Sequence, residues 1–373
     1  MKKYVIAIIG AGEGALPIIK KAKEMNVTTL TFARNGSLAQ EDVDIFIEEN
    51  SFDIDFMAQK CREYHVDGVM PSSESTTEVA ALVAHAYGVR GNDIKEGFAG
   101  RNKYVMRQRV SHLTTVKQPK FGLYDEKDTY TFPVIVKSID SCGKQGVTVV
   151  HHQEELLSAV NLSKEHSSDH TALIEEYLNG GQEYSIECLS NGKGRHYVIQ
   201  YTQKDSAGPP HFVEIGHHQP ANLSDTMKAR IDRAVYDILE VLGLNYGMAH
   251  MELKIIDDEI YFIEVGARGG GSHIPDILTP LSTGFDYFKG AIETYLGIYT
   301  HQEIKQRAYT GIYYHCKGNE RLKAMFDASK HASWCVENTV TKEAFGEVTY
   351  NSERMATGYV IYCADHKITE EDF

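Results

Sequence analysis

Met251-Glu252-Leu253-Lys254-Ile255-Ile256-Asp257-Asp258-Glu259-Ile260-Tyr261-Phe262-Ile263-Glu264-Val265-Gly266-Ala267-Arg268, followed by Gly269-Gly270-Gly271, is the stretch that decides how this chain is read. Two β-rich runs flank the acidic turn Asp257-Asp258-Glu259, the pattern of a hairpin. With those three residues as the loop, Glu252 stands opposite Glu264, their Cβ atoms about 5 Å apart, and like charges so placed repel. A cation between them would relieve the repulsion. An all-oxygen donor pair suits a hard divalent ion, normally Mg²⁺ carrying phosphates. Taken alone, the pair also fits an exposed hairpin with scattered acids, so the rest of the chain has to decide.

The chain has 373 residues, 42% hydrophobic and 24% charged. That length supports two or three domains with a sizeable core, and the composition is that of a soluble globular protein. The net charge of −14 argues against a nucleic-acid surface and against anionic membranes, while leaving room for a local basic pocket. No run of about 18 apolar residues is present, so no membrane span is expected. The start, Met1-Lys2-Lys3-Tyr4-Val5-Ile6-Ala7-Ile8-Ile9-Gly10, resembles a leader only superficially. Its apolar run is short and enters a glycine turn, which reads as a buried first strand. Six scattered cysteines without a CxxC pair fit a reducing, cytoplasmic setting better than disulfides or a zinc site.

The first hundred residues alternate strand and helix. Strands are expected at Tyr4–Ile9, Thr28–Phe32 and Gly68–Met70, with helices from the glycine turn to Met25, at Asp53–His65 and at Thr77–Tyr87. This is a βαβ pattern with a parallel sheet. Residues 101–112 look helical. Strands follow at Val134–Lys137, Val147–Val150, Ala172–Glu176, Glu183–Leu189, Tyr197–Thr202 and Phe212–Gly216, with a helix near Glu154–Lys164. Met227, Ile231, Ala234, Val235, Ile238, Leu239 and Leu242 mark an amphipathic helix over Asp225–Leu242, with Ser224 and Gly243 as its caps. After about residue 300 the pattern weakens, with strands expected at Tyr309–His315 and Gly358–Cys363. The domain expectation is therefore 1–100, 101–300 with a central lobe at about 115–180, and a C-terminal subdomain at 301–373.

Several segments carry chemistry. Gly10-x-Gly12-x-x-Ala15 fits a loose dinucleotide fingerprint, but the region where a ribose-binding acid belongs reads Thr31-Phe32-Ala33-Arg34-Asn35. The turn would equally serve another anionic substrate. Lys137 ends an apolar strand before Ser138–Gly146, a loop with Gly143 and Gly146 that is the candidate lid over phosphates. Glu175-Glu176-Tyr177-Leu178-Asn179-Gly180-Gly181-Gln182-Glu183 joins two strands. Glu175 and the backbone near Leu178 suit a purine edge, and Glu183 suits ribose hydroxyls, because carboxylates are pure acceptors. Each segment alone also reads as a hairpin edge or an acidic turn.

In this order and spacing, over about residues 1–300, the pieces resemble the ATP-grasp superfamily of carboxylate–amine ligases. Ser72-Ser73-Glu74, Arg101-Asn102-Lys103-Tyr104-Val105-Met106-Arg107 and Val134-Ile135-Val136-Lys137 look like segments shared by L-amino-acid ligases and carbamoyl-phosphate-synthase-like proteins. Glu264-Val265-Gly266-Ala267-Arg268-Gly269-Gly270-Gly271 favours the amino-acid-ligase side. The resemblance implies an α/β and α+β multidomain chain, with the ATP-grasp fold behind an N-terminal Rossmann-like pre-ATP-grasp domain. It implies ATP and Mg²⁺, with Mn²⁺ as an alternative, small-molecule carboxylate and amine substrates, and a homodimer, which is common in that family. Lys103 and Lys137 would contact ATP phosphates. Glu175 would read the adenine amine, Leu178 would add backbone contacts, and Glu183 would hold the ribose. Glu252 and Glu264 would ligate the metal, and Arg268 would stabilise the acyl phosphate. Many members have asparagine two residues after the second glutamate, where this chain has Gly266.

For the substrate, Glu74 follows a short parallel strand and would hold an ammonium group, or else is an acid in the first turn of a helix. Tyr201–Lys204 and His211–Gln219 look like the family's strands lining the acceptor pocket. His217 would contact the acyl substrate or act as base, and His273 is a similar candidate just past the triple glycine. The expected function is ATP-dependent joining of a carboxylate to an amine. The rivals are a purine-pathway or carbamoyl-phosphate-type ligase, a non-catalytic nucleotide sensor, and an NADP-dependent oxidoreductase that only the Gly10–Ala15 turn suggests.

Overall fold

Buried β-branched runs separated by amphipathic helices build the first lobe. In the computed structural model, which describes residues 2–92, 94, 100–192, 194–209 and 212–373, strands β1 (Val5–Ile9), β2 (Thr28–Ala33), β3 (Ile45–Glu48) and β4 (Gly68–Pro71) lie in the order β3-β2-β1-β4. All their pairings are parallel. Helices α1 (Ala15–Glu24), α2 (Ile54–Glu63) and α3 (Thr77–Tyr87) accompany the sheet, whose two faces feed separate apolar clusters, as a parallel sheet requires. The Asp53 carboxylate caps α2 by accepting the Phe56 N–H at 3.0 Å. β3 was not anticipated. It is a half-exposed edge strand, so its apolar residues lack the continuous run of its neighbours.

Helix α4 (Lys103–Val110) starts at Asn102, whose side chain accepts the Val105 N–H at 3.0 Å. A small antiparallel sheet follows, made of β5 (Phe121–Leu123), β6 (Val134–Ser138), β7 (Thr148–Val150) and β8 (Ala172–Glu176) in the order β5-β8-β6-β7. Helix α5 (Gln153–Glu165) closes its core with Leu156, Ala159 and Val160.

The third unit is an eight-stranded sheet. Its members are β9 (Gln182–Asn191), β10 (His196–Ser206), β11 (Glu214–Gln219), β12 (Tyr246–Ile256), β13 (Glu259–Gly266), β14 (Tyr309–Tyr314), β15 (Cys335–Asn338) and β16 (Tyr359–Ala364), ordered β13-β12-β9-β10-β11-β14-β16-β15. Helix α6 (Asp225–Leu242) buries the seven apolar residues expected of it against this sheet. Ser224 caps its start, and Gly243, at φ 69°, ends it. Residues 301–373, expected as a C-terminal subdomain, extend the same sheet, because β14 pairs with β11 and carries β16 and β15. Among the described residues no helix is long and apolar enough to cross a membrane.

The β12–β13 hairpin places Glu252 opposite Glu264, as expected, but by a different route. The loop is two residues, because Ile256 pairs with Glu259. Asp257 and Asp258 both have positive φ, 48° and 63°, as a tight primed turn demands. The register then slips between Glu252 and Leu253, which face Glu264 and Phe262. Ile263 is thus the extra residue of a bulge. Turn and bulge each shift the pairing by one residue and together restore the acid pair. Because Asp258 pays a left-handed penalty that glycine avoids, Asp258→Gly should stabilise the fold by about 0.5–1 kcal/mol. A raised urea-unfolding midpoint at unchanged slope checks this.

Candidate active site

The cleft between the small sheet and the large one collects residues from five segments of the chain. Lys103 comes from the start of α4, Lys137 from β6, Glu175 from β8, Glu183 from β9, and Glu252 and Glu264 from the hairpin. All six line one cavity together with Leu178 and with Ser141–Lys144 of the expected lid. The seven residues assigned to nucleotide and metal are therefore brought together.

Repulsion between the facing acids is relieved by lysines. Lys204 on β10 lies 2.8 Å from Glu252 and 2.7 Å from Glu214. Lys103 Nζ lies 3.2 Å from Glu264. Burial alone would raise the Glu252 pKa, but Lys204 and His250 hold it well below the usual carboxylate range. Burial likewise opposes ionisation of Lys204, and the surrounding Glu214 and Glu252 outweigh it, so its pKa is raised. The two glutamates are anionic at neutral pH. Among the described residues no group of three or more His, Cys, Asp or Glu side chains stands ready to hold a metal. The donor set is thus the carboxylate pair, which fits a hard divalent ion taking its other oxygens from phosphate and water.

Glu175 is more enclosed than an adenine contact requires. Its carboxylate is 3% exposed. It accepts from Arg107 Nε at 2.7 Å and Nη2 at 3.2 Å, and Lys137 Nζ lies at 2.6 Å. Burial pushes its pKa up, but Arg107 and Lys137 outweigh that and pull it down to about 2. With both oxygens engaged, the side chain orients Lys137. Lys254 donates to the Leu178 carbonyl at 2.9 Å and fixes that backbone. Glu183 is more open, its nearest cations being Lys254 at 3.8 Å and Lys144 at 3.9 Å.

The loop expected to act as a lid is braced. The Ser141 N–H donates to Ser138 Oγ at 3.0 Å, the Ser141 hydroxyl donates to the Gln145 carbonyl at 2.8 Å, and Lys103 donates to the Ser141 carbonyl. Gly143, Lys144 and Gly146 all have positive φ, so two of the three positions use the residue that tolerates it best.

Arg268 is held at 2.6 Å by Glu74, which reaches over from the first lobe. Glu74 is thus paired with the arginine in this arrangement, and it begins a short helical turn after β4, as its alternative reading had it. The same contact explains Gly266. A Cβ there would lie 2.7 Å from Glu74 Oε2, so the space an asparagine would need is taken by a carboxylate from another lobe.

The two histidine candidates fare differently. His217 is 1% exposed and lines neither the nucleotide cavity nor the one beside Arg268. Its Nε2 lies 3.3 Å from the Glu214 carboxylate, a contact too poorly aligned to be a full hydrogen bond, and Nδ1 has no partner among the described residues. Burial pulls its pKa down to about 4, so it is neutral at pH 7 and a weak base, which argues against proton abstraction. His273, at φ 57°, lines the cavity beside Arg268 and is fixed by Asp276 at 2.9 Å and the Tyr359 hydroxyl at 3.2 Å. Of the acceptor-pocket segment, His211 lies outside the described residues.

Sequence reasoning missed three residues. Glu187 on β9 faces His250 on β12, bonds its imidazole and accepts the Gly270 N–H at 3.1 Å. One buried carboxylate thereby ties the strand that carries Glu252 to the triple glycine. His250, two residues before Glu252 on the same strand face, was the available signal. Arg107 and Arg354 had none. Arg354 bonds Glu214 at 2.7 Å and also Ser272, and its partners lie far away in sequence.

A family model for the ATP-grasp domain matches residues 130–276. The carbamoyl phosphate synthase large chain of Pseudothermotoga lettingae is 26% identical over 166 residues, covering 44% of this chain and 15% of that much longer protein. Dapdiamide A synthase of Enterobacter agglomerans is 24% identical over 302 residues, covering 74% of this chain and 70% of the relative. The crystal structure of an L-amino acid ligase from Bacillus licheniformis superposes with a TM-score of 0.78 at 22% identity, covering 98% of this chain and 95% of that one.

The charge network gives a pH prediction. Glu175 is depressed, so its contribution to stability is complete above the unfolded value near 4.5 and is lost as pH falls towards about 2. Glu175→Gln should flatten the loss of stability between pH 4.5 and 2, read from urea midpoints across that range. Arg107→Met, which leaves the buried Glu175 carboxylate to Lys137 alone, should cost about 1–3 kcal/mol at pH 7, measured the same way.

With lysines, paired acids and a glycine loop around one cleft, the geometry of the site accords with the ATP-grasp domain that the family model matches over residues 130–276.

Proposed function

We propose that the protein activates a carboxylate, an amino acid, as its acyl phosphate and joins it to an amine, releasing ADP and phosphate. The observation that carries this reading is the shared placement of Lys103, Lys137, Glu252 and Glu264 in one cleft, with Arg268 beyond the second glutamate. A carboxylate oxygen is a poor leaving group. Attack by that oxygen on the γ-phosphorus of ATP makes phosphate the leaving group instead, and the amine nitrogen then displaces it at the acyl carbon. Positioning and charge neutralisation are what such a transfer asks of a protein.

Each residue has a share in that task. Lys103 and Lys137 offer their ammonium groups to the phosphates, and Glu183 offers acceptors to the ribose. A divalent ion, Mg²⁺ in this reading, neutralises phosphate charge when bound, and Glu252 and Glu264 are the side chains that would hold it. Arg268, cationic and already paired with a carboxylate, suits the anionic acyl phosphate. The loop over Ser138–Gly146 keeps water from an intermediate that water would hydrolyse. The amino-acid form of the reading draws on the likeness to dapdiamide A synthase and to the L-amino acid ligase.

Purified protein should release phosphate from ATP in a Mg²⁺-dependent way that an amino acid and an amine together stimulate. Glu264→Ala should lower this rate by about a hundredfold or more; wild-type turnover would show that the metal assignment is wrong. Arg268→Ala should keep ATP affinity, measured by calorimetry, and lose amide formation. Loss of ATP binding would remove Arg268 from the acyl step. Binding of ATP without turnover across a broad amino-acid screen would favour a nucleotide sensor.

A further inference from the structure

A second cavity, bordered by Arg268, lies between the start of α1 and the segment Gly269–Asp276. Its volume is about 460 Å³, which is ample for an amino-acid side chain. One face is apolar, and Arg268, His273, Asp276 and Glu13 supply the polar part of the lining. Leu16, Pro17 and Ile18 come from α1, Met248 from β12, and Pro275 and Phe288 close the opposite side. Arg268 borders this cavity, while Glu264, four residues earlier, borders the nucleotide cleft. Four residues of extended chain span at most about 14 Å, so Arg268 lies within that distance of the nucleotide cleft.

The geometry points to this cavity as the pocket for the side chain of the carboxylate substrate, and to an apolar amino acid such as leucine, methionine or phenylalanine as that substrate. The inference rests on the ligase reading above and adds the substrate class. A carboxylate anchored near Arg268 leaves its side chain to meet the apolar face. Asp276 is bonded to His273, whereas Glu13, also on the rim, is an exposed carboxylate to which no hydrogen bond or ion pair ties it among the described residues. An acidic side chain set against the apolar face would lose its hydration with no cation among the residues of that face to replace it, so aspartate and glutamate are disfavoured.

Gly271 supplies a clean test. It lines the cavity, and a Cβ added to it meets nothing within 4 Å. Gly271→Leu should therefore fold, and it adds bulk at the lining of the pocket. In the wild-type protein, kcat/KM for leucine or methionine should exceed that for alanine by at least tenfold, with aspartate the poorest. Gly271→Leu should cut the leucine-to-alanine ratio at least tenfold, and Leu16→Ala, which enlarges the same wall, should shift preference towards phenylalanine. A thermal melt of each variant reports folding separately. A wild-type protein that uses amino acids but prefers alanine or aspartate overturns the proposal, as does a ratio unmoved by both variants. Phosphate release that no amino acid stimulates overturns the ligase reading itself, and the pocket assignment falls with it.

Discussion

Two carboxylates set face to face across a hairpin repel, and the surrounding architecture answers that constraint. Lys204 spans Glu252 and Glu214, Lys103 reaches Glu264, and Arg354 arrives from the last quarter of the chain to balance Glu214. Strands β10, β11, β12 and β13, helix α4 and the C-terminal segment are all drawn into one electrostatic balance. Removing a single buried cation from such a set leaves an uncompensated charge, whereas the complete set is close to neutral in its cost. Arg354 adds a polar tie to a C-terminal segment already joined to the main sheet by strand pairing and apolar packing.

Polar ties also join the lobes. Glu74 of the first lobe holds Arg268, Arg107 of α4 holds Glu175 of the small sheet, and Glu187 holds both His250 and the triple glycine. Apolar packing within each lobe supplies the bulk of the cohesion. The polar contacts decide where the reactive groups stand relative to one another, and hydrophobic burial, being non-directional, cannot do that.

Local signals in the sequence were strong where a residue's role depends on its neighbours in the chain. The amphipathic helix over Asp225–Leu242, the acid pair of the hairpin and the lysine before a glycine loop could all be read directly. What was hidden depends on partners remote in sequence. Arg107 looks like an ordinary helix arginine until Glu175, 68 residues away, is placed beside it. Gly266 looked like a lost metal ligand, and only the fold shows the Glu74 carboxylate against it. The edge strand at Ile45–Glu48 escaped notice because partial exposure weakens its pattern.

The bulge at Ile263 has a consequence for how this hairpin can vary in length. A residue gained in the turn would slide Glu264 out of line with Glu252, unless the bulge vanished at the same time. A three-residue turn without a bulge and a two-residue turn with one present the same carboxylates to the cleft. Insertions and deletions here are therefore tolerated only in compensating pairs. Two relatives could differ in backbone at the turn and at the bulge while keeping an identical chemical face.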